Sequence, residues 1–204
     1  MNLTGSPKSF QPLSGKRGPM SQKAIFFDRD GTLIEEVHYL NSLDQIRLLP
    51  GAVACIKALR GAGYFVGLVT NQSGVARGYF TEEFVRQSHL KINQLLEAEG
   101  TKLDGAAYCP HHPEGLAPYN LDCACRKPKP GMILSLAQDH HLNLKGSWVF
   151  GDRICDVELG LNAGLEAGLV LTGYGHKDKA LVLSKYPKIP LLASLFDLPE
   201  LILG

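Results

Sequence analysis

Two carboxylates, Asp28 and Asp30, stand two residues apart directly after the apolar run 24–27. Side chains at i and i+2 of an extended exit point the same way. Left alone, two such acids repel each other; a divalent cation between them removes the conflict. Mg2+ suits the place, because it takes hard oxygen ligands and keeps some of its waters. A third carboxylate, Asp152, follows another apolar run in Trp-Val-Phe-Gly-Asp, and Asp156 lies four residues further on, where it can order the same loop. A metal flanked by acids attracts phosphate, and other residues suit that ligand. Thr70, Asn71, Gln72, Ser73 and Gly74 offer hydroxyls, amides and a backbone that can approach closely; Arg126 and Lys127 precede Pro128 and Pro130, which stiffen the chain that carries them. Lys supplies a compact charge and Arg a bidentate fork. The pattern points to phosphoryl transfer. Asp28 is the expected nucleophile and Asp30 the expected acid and base. Asp28, Asp152 and the backbone carbonyl of Asp30 are the expected Mg2+ ligands, and Thr70 and Lys127 the expected partners of the phosphoryl oxygens.

These residues need a scaffold that brings them together. Strand-like runs at 24–27, 64–69, 105–108, 148–150 and 169–171 alternate with helical patterns at 52–60, 83–97, 132–140 and 156–162, and a last helix is expected over 192–202. Thr81 is an expected N-cap. Alternation of this kind predicts an α/β fold, a Rossmann-like parallel sheet flanked by helices. Such sheets bind ligands at the carboxyl ends of their strands, where the strand order reverses. The candidate residues fall there, provided the first and fourth strands are neighbours. Only a short segment separates the first two strands, so the cap over the site is small or absent.

At 204 residues the chain suits one domain, expected over 23–204. Residues 1–22 are rich in Gly, Pro, Ser and Lys and predict a disordered leader, with Met20 an alternative start. A net charge of +1 provides no bulk field for nucleic acid or an anionic membrane. No run is long enough to span a bilayer, and the N-terminus lacks the apolar core of a signal peptide, so a cytoplasmic protein is expected. A monomer is the default expectation.

The strings Asp-Arg-Asp-Gly-Thr (28–32), Thr-Asn-Gln-Ser-Gly (70–74), Cys-Arg-Lys-Pro-Lys-Pro-Gly (125–131) and Gly-Asp-Arg-Ile-Cys-Asp (151–156) resemble, in order, the four motifs of haloacid dehalogenase-type phosphatases. The resemblance covers about residues 23–175. Within that superfamily, residues 70–80 and 108–115 are similar to strings of the D-glycero-D-manno-heptose 1,7-bisphosphate 7-phosphatase family. That resemblance implies a Mg2+-dependent phosphoric monoester hydrolase. It would remove the 7-phosphate of the bisphosphate through an aspartyl-phosphate, on the route to lipopolysaccharide heptose. It also implies substrate contacts at Arg126 and Arg153, with Asn71, Gln72, Ser73 and Tyr39 as further candidates. Ile34 and His38 depart from the family, which often has Asn and Gly there. The histidinol-phosphatase relatives share the first motif and a zinc loop, so histidinol phosphate or another small phosphate is the alternative substrate.

Five cysteines, three of them clustered, do not form a disulfide framework. Cys109-Pro-His111 and Cys123-Ala-Cys125 make two ligand pairs joined by a loop, the pattern of a closed structural zinc site. His112 is the alternative imidazole, and the resemblance favours His111. Cys55 and Cys155 read as core residues. Because Cys125 precedes Arg126 and Lys127, Zn2+ at 109–125 would anchor the two cations. A rival from another class is a non-catalytic zinc-loop module that binds nucleic acid. The near-neutral charge and single Trp speak against it.

Overall fold

The computed structural model describes residues 8–9 and 22–204. Most of the leader expected at 1–22 therefore lies outside the described residues. Among the described residues, seven strands form one sheet: β1 (Lys8–Ser9), β2 (Lys23–Phe27), β3 (Phe65–Asn71), β4 (Gly105–Cys109), β5 (Asn143–Gly151), β6 (Glu166–Val170) and β7 (Leu191–Leu192). Their spatial order is β1-β4-β3-β2-β5-β6-β7. All pairs are parallel except β1 with β4. The helices are α1 (Ala52–Gly61), α2 (Ser73–Ala76), α3 (Glu82–Ala98), α4 (Gly131–His140), α5 (Ile154–Asn162), α6 (Gly175–Lys185) and α7 (Leu198–Leu203).

β2 is buried from Ala24 to Phe27 because helices cover both faces of the sheet; it is a continuous apolar run rather than an alternating one. Ile25 and Phe27 enter the core beneath α1, and Ala24 and Phe26 enter the one beneath α4. The chain builds β3 and β4 outward on one side of β2, then crosses over to build β5, β6 and β7 on the other. The reversal lies between β2 and β5, which pair as Phe27 with Phe150. Asp28 and Asp152 thus leave adjacent strands at the switch point, as the chemistry required.

Residues 28–51 carry only a 3-10 turn (Leu43–Gln45) and two isolated bridges, Asp30 with Ile34 and Ile34 with Leu48, with no separate cap. Among the described residues no helix is long and apolar enough to cross a membrane.

β1 and α2 were not expected from the sequence, β1 lying within the segment expected as a leader, and three further elements differ from the expectation. β5 begins at Asn143, well before the apolar run, because its polar start joins Lys23 across a bulge. Ser147 stitches that bulge, accepting from the Ala24 N–H at 2.8 Å and donating to the Asn143 carbonyl at 2.8 Å. α6 was not anticipated: its faces are mostly polar, and only Gly175 and Val182 are buried. The helix expected over 192–202 divides into β7 and α7. The break is a turn in which Asp197 accepts from the Ser194 N–H at 2.9 Å, and Pro199 lies in the first turn of the following helix.

Candidate active site

Asp28 continues the β2 ladder, its N–H donating to the Phe150 carbonyl at 2.9 Å. Its Oδ1 lies 2.6 Å from Nζ of Lys127, which also donates to the Val69 carbonyl at 3.0 Å and to Asp156 Oδ1 at 2.6 Å. Lys127 is buried, and its backbone is clamped by Asn71, whose Oδ1 accepts from the Lys127 N–H at 3.0 Å. Asp156 Oδ2 accepts from the Arg153 N–H at 3.0 Å, which fixes the start of α5.

Asp152 completes the cluster from below. One oxygen, Oδ2, accepts from the Tyr174 N–H at 2.7 Å. The other, Oδ1, is buried with no hydrogen-bond partner. Gly31 and Gly173, both with positive φ, press against this carboxylate; a Cβ on either would fall within 2.3 Å of Asp152 Oδ2. Carboxylate oxygens of Asp28, Asp152 and Asp156 lie within 4.8 Å of one another.

Three buried acids around one ammonium leave excess negative charge. Burial raises Asp28 to about 7, with Lys127 pulling the other way and Asp156 and Asp30 adding to the rise. Burial, then the charge of Asp28, raises Asp152 to about 8. Burial works against the charge on Lys127, but Asp156 and Asp28 outweigh it and the pKa is raised. The orphaned Asp152 oxygen and the unbalanced acids fit a hard divalent cation.

Asp30 takes no part in that cluster. Its carboxylate faces Arg29, whose Nε lies 3.1 Å from both oxygens, and Gln72 Nε2 donates to Oδ2 at 3.0 Å. Gln72 Nε2 also donates to Thr70 Oγ1 at 2.9 Å, so the Thr70 hydroxyl keeps its own proton to donate.

A cleft of about 390 Å³ opens over these groups. It brings together Asp28, Asp30, Tyr39, Thr70, Asn71, Gln72, Ser73, Arg126, Lys127 and Arg153 from the sequence-predicted set. Asp152 lies beneath it, fully buried. The amides of Asn71 and Gln72 are committed to protein partners. Arg126 Nη1 donates to the His111 carbonyl at 3.1 Å, and the Arg153 guanidinium lies 4.7 Å from the Tyr174 ring centre. Tyr39 packs edge-on against Tyr79 at 4.7 Å. Sequence reasoning missed Tyr174, Asp178 and Phe80, which also line the cleft. Tyr174 lies between Gly173 and Gly175 just after β6, which is the one signal that pointed to it.

The second cluster lies at the root of the 109–125 loop. Sulfurs of Cys109 and Cys123 are 3.4 Å apart, of Cys123 and Cys125 2.9 Å, and of Cys125 and Cys109 3.3 Å. His111 Nδ1 lies 3.5 Å from Cys125 Sγ. His112 turns away; its Nδ1 accepts from the Glu114 N–H at 3.2 Å and its Nε2 lies 3.5 Å from Arg77. The hydrogen bond from Cys125 lowers Cys109 to about 6, and the same contact raises Cys125. Three sulfurs and one imidazole form a donor set that could hold zinc. Cys55 is a free thiol buried in the core; Cys155, also free, is only partly buried and lines the cleft.

Residues 23–153 match the family model described as polynucleotide kinase 3 phosphatase, and residues 124–198 match the haloacid dehalogenase-like hydrolase model. The D-glycero-beta-D-manno-heptose-1,7-bisphosphate 7-phosphatase of Pasteurella multocida is 40% identical over 184 residues, covering 90% of this chain and 98% of the relative. The enzyme of the same name from Rhodopseudomonas palustris is 44% identical over 143 residues, covering 70% and 79%. The crystal structure of D,D-heptose 1,7-bisphosphate phosphatase from B. bronchiseptica, complexed with magnesium and phosphate, superposes with a TM-score of 0.79 at 34% identity, covering 89% and 98%.

Proposed function

The chain belongs to the D-glycero-D-manno-heptose-1,7-bisphosphate 7-phosphatase family of haloacid dehalogenase-type hydrolases, and we propose that it removes the 7-phosphate of that sugar bisphosphate by way of Asp28. The observation that carries this reading is the ring of Asp28, Asp152 and Asp156 around Lys127, with one Asp152 oxygen left without a partner.

Asp28 attacks phosphorus; its new O–P bond forms as the bond to the sugar oxygen breaks, and Asp30 gives that oxygen a proton. Asp30 then takes a proton from water, whose oxygen attacks the phosphorus of the aspartyl-phosphate. Inorganic phosphate leaves and Asp28 is restored. Lys127 and the Thr70 hydroxyl bind the phosphoryl oxygens through both steps. Asp28, Asp152 and the Asp30 backbone carbonyl would hold Mg2+, and Asp156 anchors the Lys127 ammonium beside them. When bound, Mg2+ offsets the negative charge gathered by the acids and the phosphoryl group.

Asn71 and Gln72 act on the substrate through Lys127, Thr70 and Asp30. Ser73, Arg126, Arg153 and Tyr39 remain for direct contact: the two guanidiniums for the second phosphate, Tyr39 for a face of the sugar. Cys109, His111, Cys123 and Cys125 would hold Zn2+, which would fix the loop that carries Arg126 and Lys127.

The test is phosphate release from both anomers of the heptose bisphosphate, fructose 1,6-bisphosphate, histidinol phosphate and a 3′-phosphorylated oligonucleotide, with and without Mg2+. The highest kcat/KM falls on the β anomer, the form in the names of the P. multocida and R. palustris enzymes. A higher value on histidinol phosphate or on the oligonucleotide overturns the assignment.

A further inference from the structure

Arg29 stands between the two acids of the first motif, yet its side chain is only 2% exposed. A buried guanidinium is costly unless its donors are met, and here they converge on one carboxylate. Arg29 Nη2 lies 3.0 Å from Asp30 Oδ2 and donates to Gln72 Oε1 at 2.8 Å. Nη1 donates to Ser88 Oγ at 2.8 Å, and Ser88 in turn donates to the Val85 carbonyl at 2.7 Å. The guanidinium is therefore moored to α3 on one side and to the end of β3 on the other. His89, the next residue on α3, is buried; burial, then Arg29, lowers it to about 3, so it adds no competing charge.

The two oxygens of Asp30 are treated unequally. Oδ2 receives Arg29 Nη2, Gln72 Nε2 and a share of Arg29 Nε; Oδ1 receives only the other share of Nε. We propose that Arg29, held by Ser88 and Gln72, is a positioning residue that locks Asp30 Oδ2 to the protein and presents Oδ1 as the oxygen that passes the proton. Resting on the phosphatase reading above, this adds α3 to the acid-base apparatus. As the P–O bond breaks, its electron pair goes to the leaving oxygen, and the proton reaches that oxygen from Oδ1. A misdirected Asp30 delivers the proton poorly, and the loss falls on leaving groups that need one.

The experiment compares kcat/KM on p-nitrophenyl phosphate, whose leaving group departs without a proton, with kcat/KM on the heptose bisphosphate, in Mg2+-loaded enzyme. The variants are Asp30→Asn, Arg29→Lys and Ser88→Ala. Arg29→Lys keeps the charge and loses the fork. General acid catalysis contributes about 10²–10⁴-fold, so Arg29→Lys lowers the alkyl-to-aryl ratio by about 10-fold or more. Ser88→Ala, outside the cleft, lowers it in the same direction by about 3-fold, the effect of losing one hydrogen bond to a charged group at second hand. A purely structural role lowers both substrates together and leaves the ratio unchanged, which overturns the proposal. Should Arg29→Lys not fold, the ratio in Ser88→Ala decides alone. If Asp30→Asn itself retains the wild-type ratio, the phosphatase assignment of Asp30 fails; if Asp30→Asn lowers it and the other two do not, only the role of Arg29 fails.

Discussion

The thiol cluster at 109–125 and the carboxylate cluster at the switch point both gather groups that repel when ionised, and they relieve the conflict differently. Cys109, Cys123 and Cys125 are buried and hydrogen-bonded to one another, with His111 closing the set. Four protein donors leave no coordination position over, so a zinc ion there would stabilise the loop and do no chemistry. Asp28, Asp152 and Asp156 have Lys127 as a built-in counter-charge, and the cleft reaches Asp28, Asp156 and Lys127. That set stays incomplete on one side, where a phosphoryl group can enter. The lesson is one of enclosure: surplus charge sealed by protein donors stabilises, while surplus charge open to a cleft reacts. Cys125 joins the two regions, being adjacent in the chain to Arg126 and Lys127.

The sharpest break of this contrast is Asp28→Asn. Turnover falls by about 10⁴-fold or more, the scale set by removal of a nucleophile. The melting temperature holds or rises, since a buried acid has been replaced by a neutral isostere. Loss of fold with loss of activity would make Asp28 structural.

Cys125→Ser acts on the opposite region. Bound zinc falls below one per chain and the melting temperature drops by about 5 °C or more, since roughly 1 kcal/mol moves a domain of this size by 2–4 °C. The phosphatase rate falls with it, because Arg126 and Lys127 lose their anchor. Full activity without zinc would contradict the link.

A smaller effect separates the clusters by pH. Asp28 at about 7 and Asp152 at about 8 lie above the carboxylate's ordinary 3.8. Acids that hold protons more tightly when folded stabilise the fold fully below their unfolded pKa, and that contribution is lost as pH rises through the folded values. Metal-free protein therefore loses thermal stability between about pH 4 and pH 8. Mg2+ restores stability most at the upper end, where its ligands are ionised. A melting temperature in chelator that is flat over this range would refute the burial argument.

The smallest effect belongs to neither region. Lys129 and Asp122 form an exposed pair, and Lys129→Ala changes the melting temperature by less than about 2 °C, as surface pairs contribute about 0–1 kcal/mol. A larger drop would extend the zinc loop's stabilising network to its surface.

Much of this was legible in the residues. Apolar runs leading into Asp28, Thr70 and Asp152 marked the strand ends, and the structure brings Asp28 and Asp152 to the switch point between β2 and β5, with Thr70 at the end of the adjoining β3. The Cys and His spacing marked the second cluster, and His111 rather than His112 joins it. Spacing could not show that Lys127 bridges Asp28 and Asp156, because that depends on how three loops approach. Nor could it show that Arg29, one position out of phase with both acids, folds back onto Asp30 from the protein interior. α6 escaped because a mostly exposed helix has little apolar period, and the start of β5 because Ser147 rather than apolar burial pairs it.

Phosphoryl transfer to one carboxylate, Asp28, underlies every role given to the cleft residues. Enzyme mixed with heptose bisphosphate and Mg2+, quenched in acid within a single turnover, and digested for peptide mass mapping tests this directly. The predicted result is an acid-stable, hydroxylamine-labile phosphate on the peptide that contains Asp28. Rapid turnover with that peptide never phosphorylated, or with phosphate on another residue, would contradict it.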